Sequence, residues 1–129
     1  MTEENKMPNV LYIHDNSGLV TIIKRIVPPM VKGANLEAVV FEDDAPISPK
    51  YELVICGNLQ GKAERVYKRL GPSQTLVVHS NDSNITVPEG AFFSPKGDNS
   101  LVDIPKIIEN YLKGQYKKDP AQKSKNKPF

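Results

Sequence analysis

The fold is indicated first by the stretch Tyr51-Glu-Leu-Val-Ile-Cys56, which runs directly into Gly57. This short, nearly continuous apolar run is rich in β-preferring residues and shorter than an ordinary helix. Strands of this character are typical of parallel sheets that are buried on both faces. We therefore predict a central strand over residues 52–56, with Gly57 opening the loop that leaves its carboxyl end.

Strand and helix patterns alternate on both sides of this stretch. Four further strands are predicted at 9–13, 36–41, 75–79 and 90–93, and three helices at 17–27, 62–70 and 101–112. Such alternation predicts an α/β fold, with a doubly wound five-stranded parallel sheet in the order 2-1-3-4-5. Proline and polar residues in the connections 42–50 and 80–89 leave no room for a regular helix, so the helix between strands 4 and 5 is expected to be lost or shortened.

The chain of 129 residues, with 39% hydrophobic and 25% charged side chains, has the length and composition of one soluble globular domain. We predict a polar N-terminal tail over 1–7, the α/β domain over 8–113, and a C-terminal tail over 114–129. No apolar run approaches the roughly 18 residues of a membrane span. The N-terminus lacks the apolar stretch of a signal peptide, so a cytoplasmic location is expected.

The charge is distributed unevenly along the chain. Residues 117–129 hold five lysines and one acid, and without them the formal net charge of +2 becomes −2. A lysine-rich segment with so few apolar residues is predicted to be disordered. Nucleic-acid binding is not expected except through the positive charge of this tail. Even the tail contains neither arginine nor interleaved aromatic residues. Cys56 is the only cysteine, which excludes an intramolecular disulfide and a cysteine-based zinc cluster.

Two predicted strand ends resemble a known family. The stretch Val10-Leu-Tyr-Ile-His-Asp15 looks like the first strand of response-regulator receiver domains, the flavodoxin-like modules of two-component signalling. That strand ends in a pair of acids in the family, and here His14 replaces one of them. The stretch Glu52-Leu-Val-Ile-Cys-Gly57 is similar to the strand that delivers the phosphoacceptor aspartate, and Gly57 stands at the acceptor position. The resemblance covers residues 8–113 and rests on element order more than on motifs.

Two further stretches fit the same family. Ser80 ends the predicted fourth strand and matches the family's hydroxyl position. Phe93-Ser-Pro-Lys96 is similar to the lysine-proline pair after the fifth strand, with the order inverted and Ser94 at the lysine position. The resemblance thus implies a degenerate receiver pocket formed by His14, Asp15, Gly57, Ser80, Ser94 and Lys96.

The missing carboxylates decide what the resemblance implies for function. Aspartyl phosphorylation needs a carboxylate nucleophile and a magnesium ion held by several oxygen ligands. Degenerate members of this family, the pseudo-receivers, generally act as interaction modules. We therefore expect a non-catalytic regulatory module without metal or cofactor, whose partner is another protein such as a signalling kinase or an output protein. A homodimer is the other expected assembly, and Phe92 and Phe93, at an exposed sheet edge, are the predicted interface.

One alternative is a phosphate-handling thiol enzyme. The loop Cys56-Gly-Asn-Leu-Gln-Gly-Lys62 places a thiol at a strand end before a helix, which is how some enzymes bind an oxyanion. The loop resembles those of phosphocysteine sugar-phosphotransferase subunits and thiol phosphatases, although both families carry the cysteine after their first strand. Its predicted residues are Cys56, Gly57, Gly61 and Lys62.

A second alternative is a flavin- or nucleotide-binding protein. The polar stretch 15–21 could cradle a phosphate at the start of the first helix, although Asn16 and Ser17 are explained more simply as helix N-caps.

Both histidines, His14 and His79, end predicted strands at the same edge of the sheet, so the two rings could lie near each other.

Overall fold

In a computed structural model, the described residues are 7–42, 46–57, 59, 62–80, 87–95 and 100–116. They form five strands, β1 (Asn9–His14), β2 (Asn35–Val40), β3 (Tyr51–Cys56), β4 (Thr75–Ser80) and β5 (Phe92–Pro95). They also form three α-helices, α1 (Ser17–Ile26), α2 (Ala63–Tyr67) and α3 (Ser100–Leu112), and a 3-10 turn at Pro28–Met30.

All neighbouring strands pair in parallel, in the order β2-β1-β3-β4-β5. The predicted architecture is therefore confirmed, and the fold is α/β and flavodoxin-like. The carboxyl ends of all five strands lie at one edge of the sheet. In sheets of this kind, that edge is where ligands bind, near the point at which the strand order reverses between β1 and β3.

The sheet is buried on both faces, and alternate residues of each strand contribute to different faces. One face, here called the α1–α3 face, packs strand residues such as Tyr12, Leu53 and Val77 against α1 and α3. The other, the α2 face, packs residues such as Val54 and Val78 against α2 and the surrounding loops. This burial on two sides explains why the central strands are continuously apolar.

Local sequence signals set the ends of α1. The Asn16 Oδ1 atom accepts a hydrogen bond from the Leu19 N–H at 3.0 Å, which confirms Asn16 as the N-cap. Val27 is the C-cap, and the prolines that follow divert the chain into the 3-10 turn. The predicted helix 17–27 is thus correct to within one residue.

The predicted second helix, 62–70, is longer than the observed α2. Only Ala63–Tyr67 is α-helical, because the N–H groups of Arg69 and Leu70 bond to carbonyls three residues earlier. The last turn is therefore of the tighter 3-10 type and ends at Gly71.

The predicted fifth strand, 90–93, is displaced by two residues from the observed β5. Gly90 has a φ of +96°, and the Ala91 N–H donates to the Pro88 carbonyl, so this segment is a turn and the strand begins at Phe92. The turn packs Val87 and Ala91 against the α2 face. No helix occurs in the described part of the β4–β5 connection, residues 87–91, while 81–86 lie outside the described residues.

Contacts with the sheet are made near the end of α3 and just beyond Lys113, the predicted end of the domain. Tyr116 packs edge-to-face against Phe92 with 5.4 Å between ring centroids, and the Tyr111 hydroxyl donates to Glu52 at 3.0 Å. Both contacts fasten the end of α3 and residues 114–116 to the amino edge of the sheet. Of the predicted tails at 1–7 and 114–129, residues 1–6 and 117–129 lie outside the described residues. No helix in the described ranges is long and apolar enough to cross a membrane.

Replacing Gly90 with alanine should destabilise the protein by about 1–3 kcal/mol, because its backbone is left-handed and the new Cβ would overlap the Tyr67 hydroxyl. Urea unfolding measures the change. Gly18→Ala is the matched control, because a Cβ in the first turn of α1 meets no atom closer than 3.4 Å. It should be neutral or stabilise by up to about 1 kcal/mol. Equal stabilities of the two variants would contradict the packing of the turn against α2.

Candidate functional site

A single row of residues crosses all five strands at the carboxyl edge of the sheet. Ile13 pairs with Cys56, and Cys56 pairs with Val78. The residues that follow these three along the chain therefore lie side by side in the next row. In sheet order this row consists of Val40, His14, Gly57, His79 and Ser94. Neighbours in a row lie about 4.8 Å apart, and alternation places all of these positions on the α1–α3 face.

The imidazole of His14 occupies the space beside Gly57. A Cβ built on Gly57 would lie 2.7 Å from His14 Cδ2 and 2.9 Å from His14 Nε2. Carbon atoms do not approach this closely without displacement, so a side chain at position 57 and the observed His14 ring exclude each other. Gly57 is required here because of this contact, since its backbone has no left-handed φ.

Neighbouring residues orient the His14 ring. Its Nδ1 atom accepts a hydrogen bond from the Asn16 N–H at 3.0 Å, and the ring stacks on Tyr12 with 6.0 Å between centroids. The same Nδ1 atom lies 3.2 Å from Asp15 Oδ1. A neutral ring accepts from Asn16, whereas a protonated ring can instead donate to Asp15, so only one of these contacts is a hydrogen bond at a time.

His79 is held by a partner that the sequence did not reveal. Its side chain is only 2% exposed, and Nε2 lies 3.1 Å from Oδ2 of Asp103 on α3. The pair joins the end of β4 to the first turn of the closing helix. A helix that follows the last parallel strand begins at the carboxyl edge of the sheet. The acidic residue in its first turn, Asp103, was therefore the sequence feature that could have indicated this contact.

The structure distributes the predicted pocket residues unevenly. His14, Gly57 and Ser94 lie in the row. Asp15 follows His14 in the chain and is exposed. Ser80 is buried, but strand alternation places it on the α2 face, away from His14. Neighbouring residues of a strand point to opposite faces, so Ser80 and His14 lie on different faces of the sheet, and the pocket that contains both stays a prediction. Lys96 lies outside the described residues.

Cys56 is completely buried on the α2 face, and burial raises the pKa of its thiol to about 12. A nucleophilic or phosphate-handling thiol needs a lowered pKa. Lys62, the predicted cation of the alternative phosphate loop, precedes α2, and Gly61 lies outside the described residues. The environment of Cys56 is that of a core residue.

The polar groups proposed for a flavin phosphate already serve α1. Asn16 caps the helix, and the Thr21 hydroxyl donates to the Ser17 carbonyl at 2.9 Å. These are local helix contacts of ordinary kind.

A groove that the sequence analysis does not predict lies on the α2 face beside β2. It has a volume of about 410 Å³, its apolar floor includes Leu11 and Ile13, and Val39, Phe41 and Ile47 form part of its walls. The described part of the β2–β3 connection, residues 41, 42 and 46–50, contains no helix, and this corner of the sheet is covered by residues of that connection and by Arg69, which follows α2. Such coverage leaves an apolar concavity.

The two phenylalanines of β5 point to opposite faces. Phe92 is partly buried on the α1–α3 face against Tyr116, whereas Phe93 pairs with Val78 on the α2 face and is 37% exposed. Of the two rings, that of Phe93 is therefore the more exposed.

Comparison with known proteins adds no identification, because no protein-family profile and no curated protein matches the chain. Within the described residues, no three His, Cys, Asp or Glu side chains are grouped as metal ligands would be. The row and the exposed apolar surfaces are therefore the basis for any functional argument.

Gly57→Ala should destabilise the protein by about 1–3 kcal/mol, because the added methyl overlaps the His14 ring. His14→Ala removes the hydrogen bond from Asn16 and should cost about 1 kcal/mol. In the double variant the overlap disappears, so its destabilisation should be about 1–2 kcal/mol smaller than the sum of the two. Urea unfolding of the four proteins gives the coupling. Strictly additive values would contradict the contact.

Proposed function

We propose that the protein is a non-catalytic, receiver-like regulatory module that acts by binding another protein and is not phosphorylated on aspartate. The observation that carries this proposal is the contact between His14 and Gly57. Gly57 stands at the position that corresponds to the phosphoacceptor of receiver domains, so this position has no carboxylate. The imidazole of His14 fills the adjacent space.

The charges at this edge agree with an inactive phosphorylation site. A phosphoryl group and its magnesium ion require several oxygen ligands. The row supplies two imidazoles, a glycine and a serine, and His79 is occupied by Asp103. Asp15 is the carboxylate that follows β1 directly, and its Oδ1 atom lies against the His14 ring.

The side of β5 on which Phe93 is exposed is the surface that we propose for the partner. Phe93 lies on the α2 face, where the described part of the β4–β5 connection is a turn and not a helix. An exposed aromatic beside the fully buried Val78 gives a partner a large apolar contact at the edge of a rigid sheet.

Thermal unfolding tests the absence of phosphorylation. Magnesium with beryllofluoride, a mimic of the phosphoryl group, should leave the Tm unchanged, because only a ligand that binds the native state raises it. The comparison protein carries both His14→Asp and Gly57→Asp. Together with Asp15, the two new side chains place three carboxylates at the same edge. This variant should be stabilised by magnesium. A rise in Tm of the wild-type protein with beryllofluoride would contradict the proposal.

Affinity capture followed by mass spectrometry tests the binding role. Once a partner is identified, Phe93→Lys should weaken its purified complex about 10-fold or more, because a buried aromatic contact is lost and a charge is desolvated. Val102→Lys is the matched control, since Val102 is also apolar and 56% exposed but lies on α3. Equal affinities of the two variants would place the interface elsewhere, and failure to capture any partner would count against the proposal.

A further inference from the structure

We propose that β2 pairs with β2 of a second copy of this chain, in antiparallel orientation about a two-fold axis at Ala38. The pairing would join two five-stranded sheets into one continuous sheet of ten strands. It involves the edge opposite Phe93 and does not depend on the proposed partner binding.

The first observation is a set of outward-facing main-chain groups on β2. The Asn35 N–H donates to Pro8 and the Phe41 N–H donates to His14, so the odd-numbered residues of this strand face β1. In a strand, successive residues direct their N–H and C=O groups to alternate sides. The groups of Leu36, Ala38 and Val40 therefore face outward, and no strand among the described residues pairs with them.

These outward groups are self-complementary. When two β2 strands are placed antiparallel with Ala38 opposite Ala38, Leu36 lies opposite Val40 of the second copy. Each of these positions directs both its N–H and its C=O toward the other strand. The arrangement forms six main-chain hydrogen bonds and satisfies all three outward residues of each copy.

The side chains also fit this register. Val39 and Val40, at the end of the edge strand β2, are both 41% exposed. Val40 would lie against Leu36 of the second copy, and Val39 against Glu37. No like charges are directly opposite, and Glu37 is already bound by Tyr51 and Lys50 of its own chain.

Among the described residues, no helix covers the α2 face beside β2. On the α2 face, the groove beside β2 is lined by loop residues such as Pro46 and Ile47, and the described part of that connection has no helix. The smallest side chain of the apolar set, Ala38, stands where the two-fold axis brings the strands together. A second copy therefore meets no described helix on this face.

Sedimentation equilibrium of the full chain tests the dimer. The wild-type protein should show a concentration-dependent monomer–dimer equilibrium. Ala38→Pro should be monomeric at every concentration, because proline removes the central outward N–H of both copies. The same change leaves the hydrogen bonds to β1 intact, since the Ala38 N–H does not face β1, and circular dichroism should confirm the fold.

A pair of charge variants at one exposed position tests the register. Val39→Glu places a carboxylate opposite Glu37 of the second copy, whereas Val39→Lys places a cation there. The dissociation constant should rise roughly 2- to 30-fold for glutamate and fall by a similar factor for lysine, because each dimer contains the pair twice. Both variants lose the same valine, so each is the control for the other.

The outcomes are distinct from those for the proposed function. A wild-type protein that stays monomeric to its highest soluble concentration would overturn the dimer and leave the edge to a strand of another protein. A dimer that survives Ala38→Pro, or Val39 variants that shift the constant in the same direction, would also overturn it. Dissociation by Phe93→Lys in place of the β2 variants would assign the dimer to β5.

Discussion

Burial of the sheet on two faces is the constraint on which the rest of the structure depends. A parallel sheet exposes apolar side chains on both faces, and each face must be covered. The described residues supply two longer helices to the α1–α3 face and only the five-residue α2 to the other face. Loops therefore cover the remaining area, and the groove beside β2 and the exposed ring of Phe93 both lie where that cover is incomplete.

The same constraint shapes the carboxyl edge. Because β1, β3 and β4 are packed from both sides, their ends are fixed relative to one another, and residues in one row meet at short range. The ring of His14 can lean over β3 only because Gly57 has no side chain, while Asp103 holds His79 from the helix above. Among the described residues, these contacts occupy the carboxyl ends of β1, β3 and β4, which is the edge where ligands bind in sheets of this kind.

The sequence predicts the sheet well because its information is local. Continuous apolar runs locate the five strands, and the prolines after Val27 locate the end of α1. The start of β5 was misplaced because Gly90 and Ala91 read as strand residues, although the turn depends on a left-handed φ and on Tyr67 of α2. Such a tertiary contact is not encoded in the local pattern.

The candidate site was predicted less completely because it depends on the directions of side chains. Strand ends correctly place His14, Gly57 and His79 at one edge. Successive residues of a strand point to opposite faces, so an error of one residue in strand position decides whether Ser80 shares their face. The same error decides which of Phe92 and Phe93 is expected to be exposed. The partnership of His79 with Asp103 spans 24 positions and required the placement of α3.

The contact between His14 and Gly57 also restricts the evolutionary paths open to this chain. An acidic residue cannot appear at position 57 while the imidazole is in place without loss of stability, so position 14 must change first or both must change together. The histidine and the glycine form an epistatic pair. Because of this pair, the effect of a substitution at position 57 on stability depends on the residue that stands at position 14.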